Sequence, residues 1–319
     1  MRREEHMGVL EGKVAIVTGG GRGIGRGEAL AFADAGAKVI VNDMGASWSG
    51  DGADNRPAAE VCQEIRARGG EAEPNFANVT DPVGAQEMVA QAVDTYGRLD
   101  ILVNNAGILR DGMVFSADPT EWFSVIEMHL KGHFLPTRFA TAHWRDRSKA
   151  GHTAHRAIIN TTSESGLFGN AGQSNYDAAK MGIVSFTIAV AKETAKYGVT
   201  VNAIAPRART RLTTTTFEGS TRENEFAARG GDFDDMDPEN IAPFVTFLAS
   251  DDASDVTGQT FVVWGGAVAH VRLPHVSDIL IKHGRWTAEE LAEHKAELFA
   301  TIGPAAYEGP RGYARLPKH

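Results

Sequence analysis

A single cysteine, Cys62, stands in a chain of 319 residues. One thiol excludes an intrachain disulfide and a cysteine-built metal site, and its place in VCQEIRAR, a predicted helix, marks it as a packing residue. No run of eighteen apolar residues occurs, so no membrane-spanning helix is expected. The opening MRREEHMG leads into GKVAIVTG without signal-peptide architecture, and a cytoplasmic location is the expectation. Positive charge is in deficit. The 32 Lys and Arg against 41 Asp and Glu leave a formal charge of -9, which argues against a nucleic-acid-binding surface and a basic membrane-facing side. The histidines His129, His133, His143, His152 and His155 form no ligand set joined by a carboxylate at helical spacing, so no metal is expected. There is no internal repeat.

What is present is an ordinary globular composition, 42% apolar and 23% charged, sufficient for a sizeable core. Apolar, β-branched runs recur: VAIV at 14–17, KVIVND at 38–43, LDILV before 104, HRAIIN at 155–160, GVTVNAIAP at 198–206 and TFVVW at 260–264, while the more polar EAEPNFANVTD leads to the end of the third strand. Helical patterns separate them, including one long stretch from Pro119 and another from about Ser174 to about Tyr197, while Gly166 to Gly172 reads as a loop. Continuous apolar runs suit strands buried on both faces. The alternation predicts an α/β fold, a doubly wound seven-stranded parallel sheet of Rossmann-like type, with ligands at the strands' carboxyl ends. Residues 1–10 are expected to be a loose, charged start, with Met7 a possible true initiator, and 11–267 a single domain. Residues 268–319 form an extension in which Thr287 and Glu290 make a capping box for the amphipathic helix TAEELAEHKAELFA. This tail is expected to pack on its own or a neighbouring subunit and to narrow a site entrance.

After the first run comes TGGGRGIG at 18–25, then a helix that stops near Gly36. Strand, glycine turn and helix in that order bring backbone N–H groups and a helix amino end against a phosphate pair. The second run ends in Asp43, whose carboxylate can accept both adenosine ribose hydroxyls of NAD. It would meet the 2′-phosphate of NADP charge against charge, a repulsion of about 4 kcal/mol at 4 Å and an effective dielectric near 20. NAD is therefore expected and NADP disfavoured unless a cation intervenes, Arg22 being the residue placed to do so.

In NTTSESGLFGNAGQSNYDAAK, Tyr176 and Lys180 lie one helical turn apart and Ser163 thirteen residues upstream. Residues i and i+4 share a helix face, so the Lys180 ammonium can lie beside the Tyr176 phenol. A phenol is a poor base at pH 7, and lowering its pKa by roughly three units takes about 4 kcal/mol of differential stabilisation, which Lys180 and an oxidised nicotinamide could supply together. Taken alone the pair reads first as a surface helical contact. Its company is what gives it weight.

Ser163, Tyr176 and Lys180, together with TGGGRGIG and NNAG at 104–107, resemble the short-chain dehydrogenase/reductase family in order and spacing, over about residues 10 to 267. The resemblance implies a single-domain NAD-dependent alcohol dehydrogenase or ketone reductase. It implies that Tyr176 is the acid/base, Ser163 orients the reacting oxygen, and Lys180 grips the nicotinamide ribose while lowering the tyrosine pKa. Thr18, Gly19, Arg22, Gly23, Ile24 and Gly25 would lie in the phosphate turn, and Asn104, Asn105, Ala106 and Gly107 along the ribose. Asn78, where the family more often has Asp, would accept from the adenine amino group, with Val79 beside the ring. Pro206 and Ile204 would pack near the nicotinamide and Thr210 touch its amide. His129 stands where the family has a catalytic Asn that holds a water linked to the lysine; supporting the same water and simply packing both remain open. Arg207, Arg209 and Arg211 alternate, either as a solvated edge or as partners for the phosphates of a CoA-bearing substrate. Residues 217–240 fall where the family has a mobile lid.

His129, the ND-Met-Gly after the second strand, the long loop at 44–57 and GNAGQSNYDAAK look more narrowly like the (3R)-hydroxyacyl-CoA dehydrogenase unit of peroxisomal multifunctional enzymes. A small-molecule substrate, an acyl-CoA in the first instance, follows from that likeness, with a hydroxysteroid or other bulky secondary alcohol, or an acyl-carrier-protein thioester, as alternatives. The family assembles as homodimers or homotetramers. From a different class, a nucleotide-binding regulator that has lost catalysis would keep the fold but not Tyr176 and Lys180.

Overall fold

The computed structural model describes residues 8–47, 49–50, 52–211, 213–214, 233–272, 276 and 279–298. The strands are β1 (Val14–Thr18), β2 (Lys38–Asn42), β3 (Ala72–Asn75), β4 (Ile101–Asn104), β5 (Arg156–Thr161), β6 (Val199–Pro206), β7 (Thr260–Trp264) and β8 (Ala267–Val271). They form one sheet in the order β3-β2-β1-β4-β5-β6-β7-β8. The first seven are parallel, as the apolar runs require, and β1, β4 and β5 are buried along their whole length. The eighth, β8, runs antiparallel to β7 after the tight turn at Gly265 and Gly266, and was not expected. Its alternating half-buried and exposed residues give the weaker signal of an edge strand.

Helices fill both faces: α1 (Gly23–Asp34), α2 (Arg56–Ala67), α3 (Pro82–Tyr96), α4 (Pro119–Ile126), α5 (Gly132–Lys149), α6 (Glu164–Phe168), α7 (Ser174–Thr194) and α8 (Ala242–Ala249). Caps appear where the sequence places them: Asp81 accepts from the N–H of Val83 and Gly84, and Asp118 from those of Thr120 and Glu121. One apolar core lies on the α1, α2 and α8 side of the sheet, including Phe32, Val39, Val61 and Ile65. Cys62 is in it, its thiol pushed up to about 11 by burial, in keeping with a packing role. The opposite core gathers Ile16, Met88, Leu102, Ile158 and Trp144.

Two stretches differ from the sequence reading. The single helix expected from Pro119 is interrupted by a π-helical segment at Glu127–Lys131, and α5 continues through an internal Pro136. Within the loop expected at 166–172, residues 164–168 form the short α6, because the Ser163 side chain accepts from the Ser165 N–H and caps it.

The chain divides into a unit of Met1–Val271 and one of Arg272–His319, four residues beyond the expected boundary. In the second unit the Thr287–Glu290 capping box forms, starting α9 (Ala288–Glu293), which breaks at His294 before α10 (Lys295–Leu298). The end of the expected tail, 299–319, lies outside the described residues. So does most of the expected lid, 217–232.

Trp144 is fully buried, and its indole N–H donates to the Leu99 carbonyl at 2.7 Å. Trp144→Ala is expected to destabilise the protein by about 3–5 kcal/mol, measured by urea unfolding.

Candidate active site

The sheet order reverses between β1 and β4, and there the loops after the two strands separate to leave a cleft of about 610 Å³. Its base is the glycine turn. Gly19 and Gly23 adopt φ of +66 and +53, which L side chains rarely take. A Cβ on Gly19 would stand 2.9 Å from the Asn105 amide nitrogen, and one on Gly25 only 2.3 Å from the Gly19 carbonyl. The turn thus packs backbone to backbone and aims the amino end of α1 into the cleft. Thr18 ties it to β4: its Oγ1 accepts from the N–H of Asn105 and Ala106 and donates to the Val103 carbonyl. The Asn105 amide donates in turn to the carbonyls of Thr18 and Gly19.

Of the residues expected in this region, Gly19, Arg22, Gly23, Ile24, Asp43, Asn78, Val79, Asn105, Ala106, Gly107, Pro206 and Thr210 line the cleft. Gly25 does not; it lets the turn close. Asn104 is fully buried behind the loop, where its amide donates to Thr137 and Asn160, so of the two asparagines Asn105 is the one that lines the cleft. Ile204 is likewise core rather than lining.

At one end the Asp43 carboxylate accepts from the N–H of Gly21 at 2.9 Å and of Gly45 at 2.6 Å. A side chain on Gly21 would collide with it at 2.7 Å. The Asn78 carbonyl oxygen, the acceptor expected for an adenine amino group, instead takes both the N–H and the hydroxyl of Thr80 at 2.9 Å. Both its lone pairs are committed there, and only its NH₂ remains to face a ligand.

At the other end lies the chemistry. Lys180 is buried on α7, its ammonium donating to the Thr161 carbonyl at 2.6 Å and sitting 5.4 Å from the Tyr176 ring centre. Burial pushes the Tyr176 phenol up to about 12, and the Ser163 side chain beside it acts in the opposite direction. Burial draws Lys180 down to about 7. In the protein alone desolvation favours the neutral form of both, and the expected lowering counts on an oxidised nicotinamide beside Lys180.

His129 lies in the π-helical segment, a device that swings side chains out of helical register. Its Nε2–H donates to the Ile108 carbonyl at 2.9 Å, and its ring meets the Tyr176 ring edge-on with centres 5.1 Å apart. A Cβ on Gly107 would stand 2.3 Å from His129 Cε1, so glycine is needed there for the imidazole to fit. Burial and the Lys180 charge hold it neutral.

The alternating arginines separate. Arg207 makes a bidentate pair with Glu164 at 2.9 and 2.7 Å and lies over the Trp264 ring; Arg209 pairs with Asp234. Only Arg211 of the three meets the cleft without a carboxylate partner among the described residues, close enough to Arg22 and Asp43 to feel both charges. The Thr210 N–H is held by the Thr213 hydroxyl, and its methyl faces Gly23. Met44, Ser47, Met128, Thr161 and Thr162 also line the cleft, and nothing in their spacing announced it. Among the described residues no group of His, Cys, Asp or Glu could hold a metal ion, and no helix is long and apolar enough to cross a membrane.

The family profile described as short chain dehydrogenase matches residues 13–223. The chain is 41% identical over 302 residues to the hydroxyacyl-CoA dehydrogenase ChsB1 of Mycobacterium tuberculosis, covering 92% of this chain and 91% of that protein. It is 42% identical over 245 residues to the peroxisomal multifunctional enzyme type 2 of Drosophila melanogaster, which is 77% of this chain and 38% of that longer one. It is also 42% identical over 267 residues to the 3-oxoacyl-[acyl-carrier-protein] reductase of Synechocystis, covering 82% of this chain and 99% of that protein. A crystal structure of a short chain dehydrogenase from Mycobacterium avium superposes with a TM-score of 0.81 at 44% identity, over 93% of this chain and 98% of that one.

The turn tolerates no side chain at Gly25, whatever ligand the cleft takes. Gly25→Ala is expected to weaken binding of a reduced dinucleotide by at least about tenfold, read from cofactor fluorescence, with the far-ultraviolet circular dichroism preserved.

Proposed function

This chain belongs to the short chain dehydrogenase family, and from that premise we propose that it is an NAD-dependent (3R)-3-hydroxyacyl-CoA dehydrogenase working on one small-molecule thioester pair. Oxidoreductase chemistry with a nicotinamide cofactor is the family's. The finer reading is supported by the relatives named as hydroxyacyl-CoA dehydrogenase and peroxisomal multifunctional enzyme, which align along most of this chain. The observation that carries it is that Ser163, Tyr176 and the buried Lys180 line the same cleft as the glycine turn.

The cleft suits a dinucleotide: glycines that admit only backbone, a helix amino end for the phosphates, and a carboxylate fixed by two N–H groups at the adenosine end. Arg22 and Arg211 add positive charge beside the turn. When bound, the cofactor takes up or supplies the hydride. Ser163 would hold the substrate oxygen, Tyr176 would take or return the hydroxyl proton, and Lys180 would bond the nicotinamide ribose from below. Bringing a phenol from about 12 to near 7 takes roughly 7 kcal/mol. Two unit charges about 5 Å apart contribute only about 3 kcal/mol at an effective dielectric near 20, so a charged Lys180 beside the ring covers part of this. The balance requires further positive charge above the phenol, so catalysis in the alcohol-oxidising direction depends on the oxidised cofactor being seated first.

Asp43 favours NAD: among the described residues no cation is paired with it, Arg22 approaching Asp54 at 4.0 Å while the Asp43 carboxylate is bonded to backbone N–H groups. With its guanidiniums bound to Glu164 and Asp234, neither Arg207 nor Arg209 is placed to meet phosphates of CoA. Residues 11–267 would form the catalytic domain, and the enzyme would act in the cytoplasm as a homodimer or homotetramer.

Tyr176→Phe is expected to lower kcat for a 3-hydroxyacyl-CoA by about 10²- to 10⁴-fold, followed at the reduced-nicotinamide absorbance, while leaving cofactor affinity within a few-fold. Near wild-type turnover in this variant, or activity restricted to acyl-carrier-protein or steroid substrates in the parent enzyme, would contradict the reading. Asp43→Ala is expected to shift the NADP-to-NAD ratio of kcat/KM towards NADP by roughly 10²- to 10³-fold, from the loss of about 4 kcal/mol of repulsion.

A further inference from the structure

One buried face of α1 mixes glycine, apolar side chains and an acid. Gly25, Glu28, Ala29 and Phe32 follow at helical spacing and are all buried, and Ala29 and Phe32 belong to the core on that side of the sheet. Glu28 is wholly enclosed, and neither of its carboxyl oxygens meets a hydrogen-bond donor among the described residues. It lies one helical turn below Ile24, which lines the cleft, and Gly25, which lets the glycine turn close. From Gly23, at the amino end of α1, it is about 7.5 Å along the helix axis.

An acid in such a place costs the fold stability, and it escapes the far larger cost of an isolated buried charge only by keeping its proton. We propose that Glu28 is a neutral acid beneath the glycine turn and couples proton binding to dinucleotide binding, its ionisation weakening the turn's hold on the phosphate pair. The coupling rests on the dinucleotide part of the function proposed above and not on the choice of substrate. Its physical basis is like charge. Phosphates at the amino end of α1 and a carboxylate in the next turn repel across a core with little water, and both draw on the same positive helix end. At an effective dielectric near 20 that repulsion is worth roughly tenfold in affinity. Linkage is reciprocal, so a seated dinucleotide makes Glu28 hold its proton roughly tenfold more tightly.

Burial alone raises Glu28 from the ordinary carboxyl range to about 8. The elements packed against it bring no opposing charge. β1 and α8 carry no charged residue, and the one in β2, Lys38, pairs with Glu71 at 2.9 Å. α2 leaves Arg56, Glu60 and Arg66 exposed and gives Cys62 to the shared core, where the thiol is neutral up to about 11. Arg26 of α1 is held by Glu64 of α2 at 2.6 Å and by Glu239, in the turn before α8, at 2.8 Å. Asp34, at the far end of α1, pairs with Arg68 at 3.2 Å. Near neutrality Glu28 is therefore uncharged, and the hold on the phosphates loosens as pH rises through about 8.

The test uses ADP-ribose, which carries the phosphate pair without a nicotinamide, on the full-length protein and on Glu28→Gln, which stands in for the neutral acid. Between about pH 6.5 and 9.5 the dissociation constant of the parent is expected to rise about eightfold more than that of the variant. Isothermal titration calorimetry near pH 8.5, in two buffers of different ionisation enthalpy, is expected to show the parent taking up about half a proton per ligand more than the variant. Equal pH dependence and equal proton uptake in two folded proteins that both bind overturn the proposal and leave the functional reading standing. A folded variant that does not bind near pH 6.5 overturns it as well. Should Glu28→Gln not fold, infrared difference spectra of the parent on binding near pH 8.5 decide: a gain in protonated-carboxyl absorption supports the coupling, and no gain overturns it. ADP-ribose that binds neither protein near pH 6.5 overturns the dinucleotide reading and the coupling with it.

Discussion

A lysine amine enclosed by the protein, bonded to the Thr161 carbonyl and stacked near a phenol, is the constraint around which the site is built. Water would stabilise that ammonium more cheaply, and its burial draws Lys180 from its usual value down to about 7. The same desolvation acts on Tyr176 in the opposite direction. A pair poised in this way holds a proton weakly on one member and strongly on the other. Charge brought into the cleft then has a large effect on both, because the low dielectric that penalises an isolated ion strengthens every interaction with a counter-ion.

The fold supplies the rigidity this needs. β5 carries Thr161 and β4 leads into the loop of Asn105 to Gly107, while α7 presents Tyr176 and Lys180 one turn apart, and β5 pairs on both sides with fully parallel neighbours. Thr162 Oγ1 donates to the Lys180 carbonyl at 2.6 Å, stitching α7 to the strand end. On the far side the Thr18 hydroxyl joins β1 to the β4 loop. The two halves of the cleft are thereby fixed to adjacent strands of one sheet. Glycine at 107 lets the His129 imidazole close the wall between them.

Much of this was legible in the residue order. Continuous β-branched runs announced the parallel strands, and the spacing of Ser163, Tyr176 and Lys180 with the glycine turn placed the cleft. What stayed hidden depends on partners distant in sequence. Glu164 and Arg207 are 43 residues apart, and their pairing could not be read from three alternating arginines. Asn78 was read by residue type as an acceptor, yet a local bond to Thr80 occupies that oxygen. The π-helical segment leaves no mark in the apolar pattern, since one added residue per turn shifts register by less than the width of a buried face. β8, half exposed, lacks the two-sided burial that made the other strands conspicuous. The helical spacing shows a cation beside Tyr176 but not the dryness of the surroundings, which raises the phenol in the protein alone.

The account stands on the claim that Tyr176, held protonated by burial, becomes a competent base only under positive charge in the cleft. Ultraviolet difference titration of the phenolate, taken between the parent protein and Tyr176→Phe, reads that ionisation directly with and without saturating oxidised cofactor. The account predicts a midpoint near 12 in the protein alone and a fall of several pH units when the cofactor is seated. A midpoint that does not move on cofactor binding would contradict it.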